Sequence, residues 1–313
     1  MSALQSGACA EAVQYLHRAL ELLQMHVAAS RAAAPRRRLR RGLLDPNAHV
    51  DRESEGFAIG RIHGALSEAY FRLGDLKSCR EHAVRALSQF GQHVPARRIG
   101  WVFAIVEELL LRTVQSLARV RARDAAEARL IAAEVARVQL RLTETFFFSL
   151  RVMPIIWSSL RVVNQCEPAG PSPELAQGYA ILALLASPAR LPRLAEAWAR
   201  RGLGIAEGTG VERCVAWVAS RVCVNYLSEC RWPEAEAAVS RATSIAERVG
   251  DLRLWADVRT EGALLAMFKG EFQRSLTLFQ ESHALSRRSG NRQIACWSLT
   301  GEGGSLSRMG RDR

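Results

Sequence analysis

The sequence predicts an all-α superhelix of antiparallel helix pairs, about 40 residues per unit. Three observations carry this reading. Glycine recurs at one constant interval, at Gly170, Gly210, Gly250 and Gly290, and Glu167, Glu207, Glu247 and Arg287 form a second column ahead of it. Each interval holds two helix-length segments around a short turn. Small residues also keep register: Ala183, Cys223, Ala263 and Gly303 in the first segment, Ala195, Ala235 and Ser275 in the second. Small side chains at fixed places let stacked helices approach closely.

The elements follow in order. Gly7 reads as a turn, with Ala12, Leu16, Ala19 and Leu20 as the packing face of a second helix whose partner is missing. Residues 31–56, with Arg31, Arg36, Arg37, Arg38, Arg40 and Arg41 before Asp45-Pro46-Asn47, read as a polar, mobile loop. Leu66-Ser67, Tyr70 and Leu73-Gly74-Asp75, then Cys79, Ala83 and Ala86-Leu87, mark a helix pair that completes an N-terminal region over 1–91. Residues 92–150 carry two long helices, 98–120 and 124–148, without a repeat signature. The array of repeated units occupies 151–313 and stops after the first helix of its last unit.

Within that array the punctuation is physical. Pro154, Pro192 and Pro233 each stand just after a turn, where a first-turn N–H has no helical partner to lose. The unit-ending glycines suit the left-handed residue that closes a helix. With an uncapped first helix at 294–309, Leu299, Leu306 and Met309 are expected to face solvent, a neighbour or the remainder of a longer chain. Self-association through the ends is the corresponding expectation.

The sequence Leu-Gly-Asp, then Ala, then Ala-Leu resembles the tetratricopeptide repeat, although its units are longer than the roughly 34 residues usual in that family. Ala169-Gly170-Pro171-Ser172-Pro173-Glu174-Leu175-Ala176, Ala246-Glu247-Arg248-Val249-Gly250-Asp251 and Gly270-Glu271-Phe272 are similar to the C-terminal helical region of large bacterial predicted ATPases that often carry a class III adenylate/guanylate cyclase domain. This resemblance implies a signalling context. It supplies no ATP-binding or cyclase segment and no site residue.

Composition narrows the function classes. The chain has 313 residues, 49% hydrophobic and 24% charged, which excludes wholesale disorder. Its net charge is +12, yet all but Lys77 and Lys269 of its 43 basic residues are arginine, so coding bias discounts charge as a signal. Seven scattered cysteines without a CxxC pair point to reduced thiols and a cytoplasmic setting. The apolar stretch 145–160 is interrupted by Arg151 and Pro154 and reads as a helix pair, so no membrane span is expected.

GxxxxGK[ST], GxGxxG and HExxH are absent. Cys79 and His82 share a helix face, but Cys79 belongs to the packing column; Glu107-Glu108 reads as a solvated stripe. No catalytic, cofactor-binding or metal-binding residue is identified, and an enzyme is not expected. The expected function is a non-catalytic protein-interaction or regulatory region of a larger signalling ATPase or nucleotide cyclase. Its partner is a protein or peptide in a concave groove, with Trp217, Leu264, Met267, Phe268 and Trp297 as the candidate apolar stripe. The competing reading wedges the tryptophan rings between units as core.

A second function class is nucleic-acid or other polyanion binding through the basic patch Arg36, Arg37, Arg38, Arg40 and Arg41. No aromatic side chain for base stacking lies between Ser30 and Glu55, which disfavours nucleic acid. Like charges beside Pro, Gly and Asn predict that limited trypsin digestion nicks residues 36–41 first. Peptide mapping checks this; first cuts within 211–290 would contradict the repeat assignment.

Overall fold

The computed structural model describes residues 3–33, 47–118 and 126–311, and over them it is helical with no strand. The helices are α1 (Ala3–Ala33), α2 (Asn47–Leu73), α3 (Leu76–Gln89), α4 (Arg98–Ala118), α5 (Ala126–Phe148) and α6 (Val152–Cys166), then a 3-10 turn, Glu167–Ala169. There follow α7 (Pro173–Ala186), α8 (Pro192–Thr209), α9 (Glu212–Ser228), α10 (Trp232–Val249), α11 (Leu252–Phe268), α12 (Phe272–Ser289) and α13 (Arg292–Arg308). Successive helices pair in antiparallel fashion and stack into an α-solenoid of the tetratricopeptide-like kind.

Why the chain reverses at a constant interval is visible in the backbone. Leu150, Arg190, Cys230, Gly270 and Gly310 all take positive φ, between 52° and 81°. In each of these turns the following amide reaches back to the fifth residue before it. Arg151 N donates to Phe146 O at 3.0 Å, Leu191 N to Ala186 O at 3.0 Å, Arg231 N to Tyr226 O at 3.0 Å and Glu271 N to Ala266 O at 2.9 Å. This bond closes a helix end through a left-handed residue. Only two of the five positions are glycine; elsewhere a side chain is held left-handed at about 1 kcal/mol each. The turn column therefore extends back to Leu150, so α5 pairs with α6 as the first helix of a unit.

The glycines that end the second helices behave alike in three of four cases. Gly210, Gly250 and Gly290 are left-handed C-caps with φ of 67°, 69° and 66°. Gly170 has φ 97° and ψ −178°, because α6 ends early and the 3-10 turn intervenes. After Gly170, Gly250 and Gly290 the next helix is then capped: the Ser172 side chain accepts from Leu175 N, Asp251 from Arg253 N and Leu254 N, and Asn291 from Ile294 N. Pro192 and Pro233 fall in first turns, as their spacing predicts.

The small-residue columns sit at the closest helix contacts. Ala183, Cys223, Ala263, Ala195, Ala235 and Ser275 are fully buried, and Ser275 Oγ donates to Ala263 O across the α11–α12 contact at 2.9 Å. Gly303 is exposed, since nothing described stacks beyond it.

At the N-terminal end the structure departs from the sequence reading. α1 runs through Gly7 without a turn, because good helix formers flank it on both sides. Residues 31–33 and 47–56, expected within a loop, are helical. The basic patch Arg36, Arg37, Arg38, Arg40 and Arg41 lies outside the described residues. α1 docks on α2 with Leu20 and Val27 buried; His17 Nε2 is 3.1 Å from Tyr70 Oη, and its ring meets His82 of α3 at 5.5 Å. Cys79 and His82 serve packing there: Cys79 Sγ meets Ser67 Oγ at 3.3 Å, and His82 Nδ1 meets His63 Nδ1 at 2.9 Å. Among the described residues, no helix is long and apolar enough to cross a membrane.

Gly301 of α13 is the glycine with the least room for a side chain. A Cβ there would stand 2.3 Å from the Phe279 ring, which is 1% exposed and cannot swing away. Gly301→Ala should therefore destabilise by about 1–3 kcal/mol. Gly303→Ala, with nothing within 4 Å, should instead stabilise by about 0.5–1 kcal/mol through helix propensity. Thermal unfolding of the two variants reads this opposition; equal shifts would contradict the packing.

Candidate functional site: the concave cavity

Because the reversal repeats at a constant interval, residues one repeat apart stand side by side on neighbouring first helices. Four such columns line the inside of the superhelix. They are Glu174/Cys214/Leu254/Ile294, Gln177/Trp217/Asp257/Trp297, Ile181/Arg221/Glu261 and Leu184/Val224/Leu264. Within each helix these positions step by 3 or 4 residues, which is one helical face. α2 and α5 supply the facing wall, and α8, α10 and α12 contribute nothing to it. The partly open cavity has a volume of about 690 Å³, within the size range of small-molecule pockets.

The superhelix curls until its ends meet. The Trp297 ring of α13 stands 5.4 Å from Phe147 and 5.5 Å from Phe148 at the end of α5. At the α2–α3 turn, Gly74 lies against the Arg292 side chain, where a Cβ would come within 2.9 Å. This clasp makes the groove a cavity.

The sequence-derived stripe divides. Trp217, Leu264 and Trp297 line the cavity. Met267 is half-buried beside Gly304, and Phe268, 61% exposed, lies outside the lining, because both have rotated past the inward face. Trp217 combines the two expectations for its ring: it packs against both large core clusters and faces the cavity.

Charge is the feature sequence reading missed. Arg221 of α9 bridges to α11, bonding Asp257 at 2.7 Å and pairing with Glu261. Arg141 of α5 bonds Glu68 of α2 at 2.6 Å and pairs with Glu144. Arg137 holds Glu174 at 2.9 Å. Arg253 has no acidic partner within ion-pair distance among the described residues; it lies 5.3 Å from the Phe71 ring, which Arg141 also covers at 4.0 Å. Burial and the neighbouring Arg141 guanidinium draw Arg253 below the usual arginine range, and its Nη1 has no hydrogen-bond acceptor.

One guanidinium cannot neutralise two carboxylates, and the deeper one shows it. Glu261 is 4% exposed, and burial pushes its carboxyl up to about 7 despite the Arg221 pull; its Oε2 lacks a partner. Burial likewise raises Glu144, with Arg141 opposing. For Glu68, burial raises the carboxyl, but Arg141 and Arg72 outweigh it and hold it below the usual range.

Outside the cavity, Glu108 corrects the solvated-stripe reading. It is 2% exposed, pairs with Arg161 and accepts from Asn164 Nδ2 at 2.9 Å. The glutamate column is likewise occupied by arginines: Glu167 with Arg112 and Arg201, Glu207 with Arg241, Glu247 with Arg259. All seven cysteines are free thiols, and burial pushes Cys79 up to about 11. Among the described residues no His, Cys, Asp and Glu cluster of three or more could hold a metal ion.

No family model matches the chain, and no curated protein matches its sequence. The fold is similar to the apo form of RapI, with a TM-score of 0.50 at 12% identity over 98% of this chain and 99% of that one. Aspartyl phosphate phosphatase F from Bacillus subtilis aligns with a TM-score of 0.46 at 12% identity, over 86% of this chain and 72% of that one. BtubC (BKLC) from P. vanneervenii aligns with 0.45 at 14%, over 68% and 85%. At such identities the end-to-end match to RapI speaks to fold alone.

The Glu261 proton gives a signed pH dependence. Its folded pKa of about 7 exceeds the ordinary 4.5, so the protonated carboxyl favours the folded state. That contribution is complete below about 4.5 and is lost as pH rises through 7. Glu261→Gln is always neutral, so relative to wild type it should gain about 2–3 kcal/mol between pH 5 and pH 8. Urea unfolding at the two pH values measures this; a pH-independent difference would rule it out.

Proposed function

We propose that this chain is a non-catalytic protein-interaction unit whose concave cavity receives a segment of a protein partner. The observation that carries the reading is the cavity itself: about 690 Å³, walled by Trp217, Leu264, Trp297 and Phe147. Most of its charged side chains are already engaged in arginine–carboxylate pairs across neighbouring helices. Such pairs bind helix to helix, and the aromatic walls between them offer apolar contact to a peptide.

The same reading places the unit in a larger signalling ATPase or nucleotide cyclase of a bacterial cytoplasm. It is supported by the helix punctuation at Ala169–Ala176 and around Gly250 and Gly270. Coding sequence adjoining this chain's own tests that part directly.

Peptide-array screening with the whole chain tests the cavity. A bound peptide should shield Trp217 and Trp297 from acrylamide, since Trp297 is 39% exposed in the free chain. Leu264→Arg, placed in the half-buried wall, should weaken that peptide roughly tenfold or more. Peptides that leave both indoles open to quencher and bind the variant equally well would refute cavity binding.

A further inference from the structure

α4 is packed on one side only. Among the described residues it rests mainly on α6, with Trp101, Ala104 and Ile105 turned into the core, Trp101 also against Phe146 of α5, and Arg112 bonding Tyr179 of α7. The opposite face is apolar and open: Ile99 is 71% exposed, Phe103 72% and Leu110 63%, with Val102, Val106 and Leu109 each near half. None of these side chains lines the cavity, so this face is separate from the site proposed above.

The spacing of that face is specific. Ile99, Val102, Val106 and Leu109 step by 3, 4 and 3 residues, the a/d rhythm of a coiled-coil seam, with Phe103 and Leu110 flanking it on one side. No charged residue occupies the seam; Glu107 stands beside it. The order Ile, Val, Val, Leu is also nearly palindromic in size. Turned end for end on a second copy, it sets Ile99 against the partner's Leu109 and Val102 against the partner's Val106. Every layer then joins residues of matched size about a two-fold axis between Val102 and Val106. The six side chains named above expose on the order of 600 Å² per copy, so the pair would bury up to about 1,200 Å² in all, the lower bound for a specific stable interface. An isologous pairing of this kind closes on itself and leaves no repeated face exposed.

We propose that the face of α4 is a homodimer interface, an antiparallel α4–α4 pair about a two-fold axis. Light scattering on the eluted whole chain between about 1 and 50 µM should give a dimer. Val102→Glu and Val106→Lys should each raise its dissociation constant about 100-fold, with helix content and melting temperature retained because both positions are half exposed. The two variants mixed should dimerise again, since each new charge meets the other in one layer. Should Val106→Lys lose helix content, Phe103→Lys, at a more exposed position, replaces it in the dissociation arm. A wild-type chain that stays monomeric at the top of that range, a dimer indifferent to these charges, or a mixture that stays monomeric would overturn the pairing.

Discussion

The structure depends on one backbone event, a left-handed residue recurring at a constant interval from Leu150 to Gly310. In the four turns detailed above, the amide one residue on bonds a carbonyl five residues back, so the first and second helices of each unit are joined by the same closure. Equal turns give equal stacking, and equal stacking gives columns. Inward columns form the cavity wall, and outward faces are covered by second helices. A single irregular turn would rotate every later first helix and scramble those columns. The interaction is local and weak, but it is repeated, and repetition fixes the global shape.

Columns also explain where the charges stand. Arg221 and Glu261 are one repeat apart and therefore neighbours, as are Arg213 and Arg253, and Trp217 and Asp257. A pair such as Arg221–Glu261 is a contact between adjacent units written at the repeat distance. Arg–Arg at 213 and 253 is the opposite case. Arg213 turns to Asp251 at 2.9 Å, leaving Arg253 against Phe71 and beside Arg141. Taking a charge out of water costs several kcal/mol unless geometry and hydrogen bonds compensate. The cavity thus stores electrostatic strain in two places, at Glu261 and at Arg253, where the column rule puts charges that the available partners do not balance.

The array was legible in the sequence because its signals are backbone signals. Gly210, Gly250 and Gly290 answer a demand for positive φ, and Ala183, Ala195 and Ala235 a demand for close approach; both leave marks in residue type. The turns at Leu150 and Arg190 answer the same demand with side chains that give no sign of it, and only the prolines that follow, Pro154 and Pro192, mark their places. Gly7 misled for the converse reason: a glycine inside a helix costs only about 1 kcal/mol and need not end it. Trp217, Leu264 and Trp297 were legible as a stripe. Met267 and Phe268 were misplaced because a run of apolar residues at a helix end does not show which of them faces inward. Arg141, Glu68 and Glu144 stayed hidden, since their pairing joins α2 to α5 across a fold that no local pattern encodes.

The contrast between α4 and the array follows from the same turn rule. From α5 to α12 each helix belongs to a pair set by a fixed turn, and most of its apolar residues are used within the chain. α4 lies ahead of the first of these turns, at Leu150, and packs on α6. Neighbours on one side can cover about half of a helix circumference. The other half of α4 nevertheless carries Ile, Val, Phe and Leu at helical spacing rather than the Arg and Glu that solvate the outer faces of α10 and α12. Coding bias favours arginine throughout this chain, and α4 keeps arginine off that face. An apolar stripe held against both solvent and composition is informative, because leaving such residues in water forgoes roughly 1.5–3 kcal/mol per side chain that burial would supply.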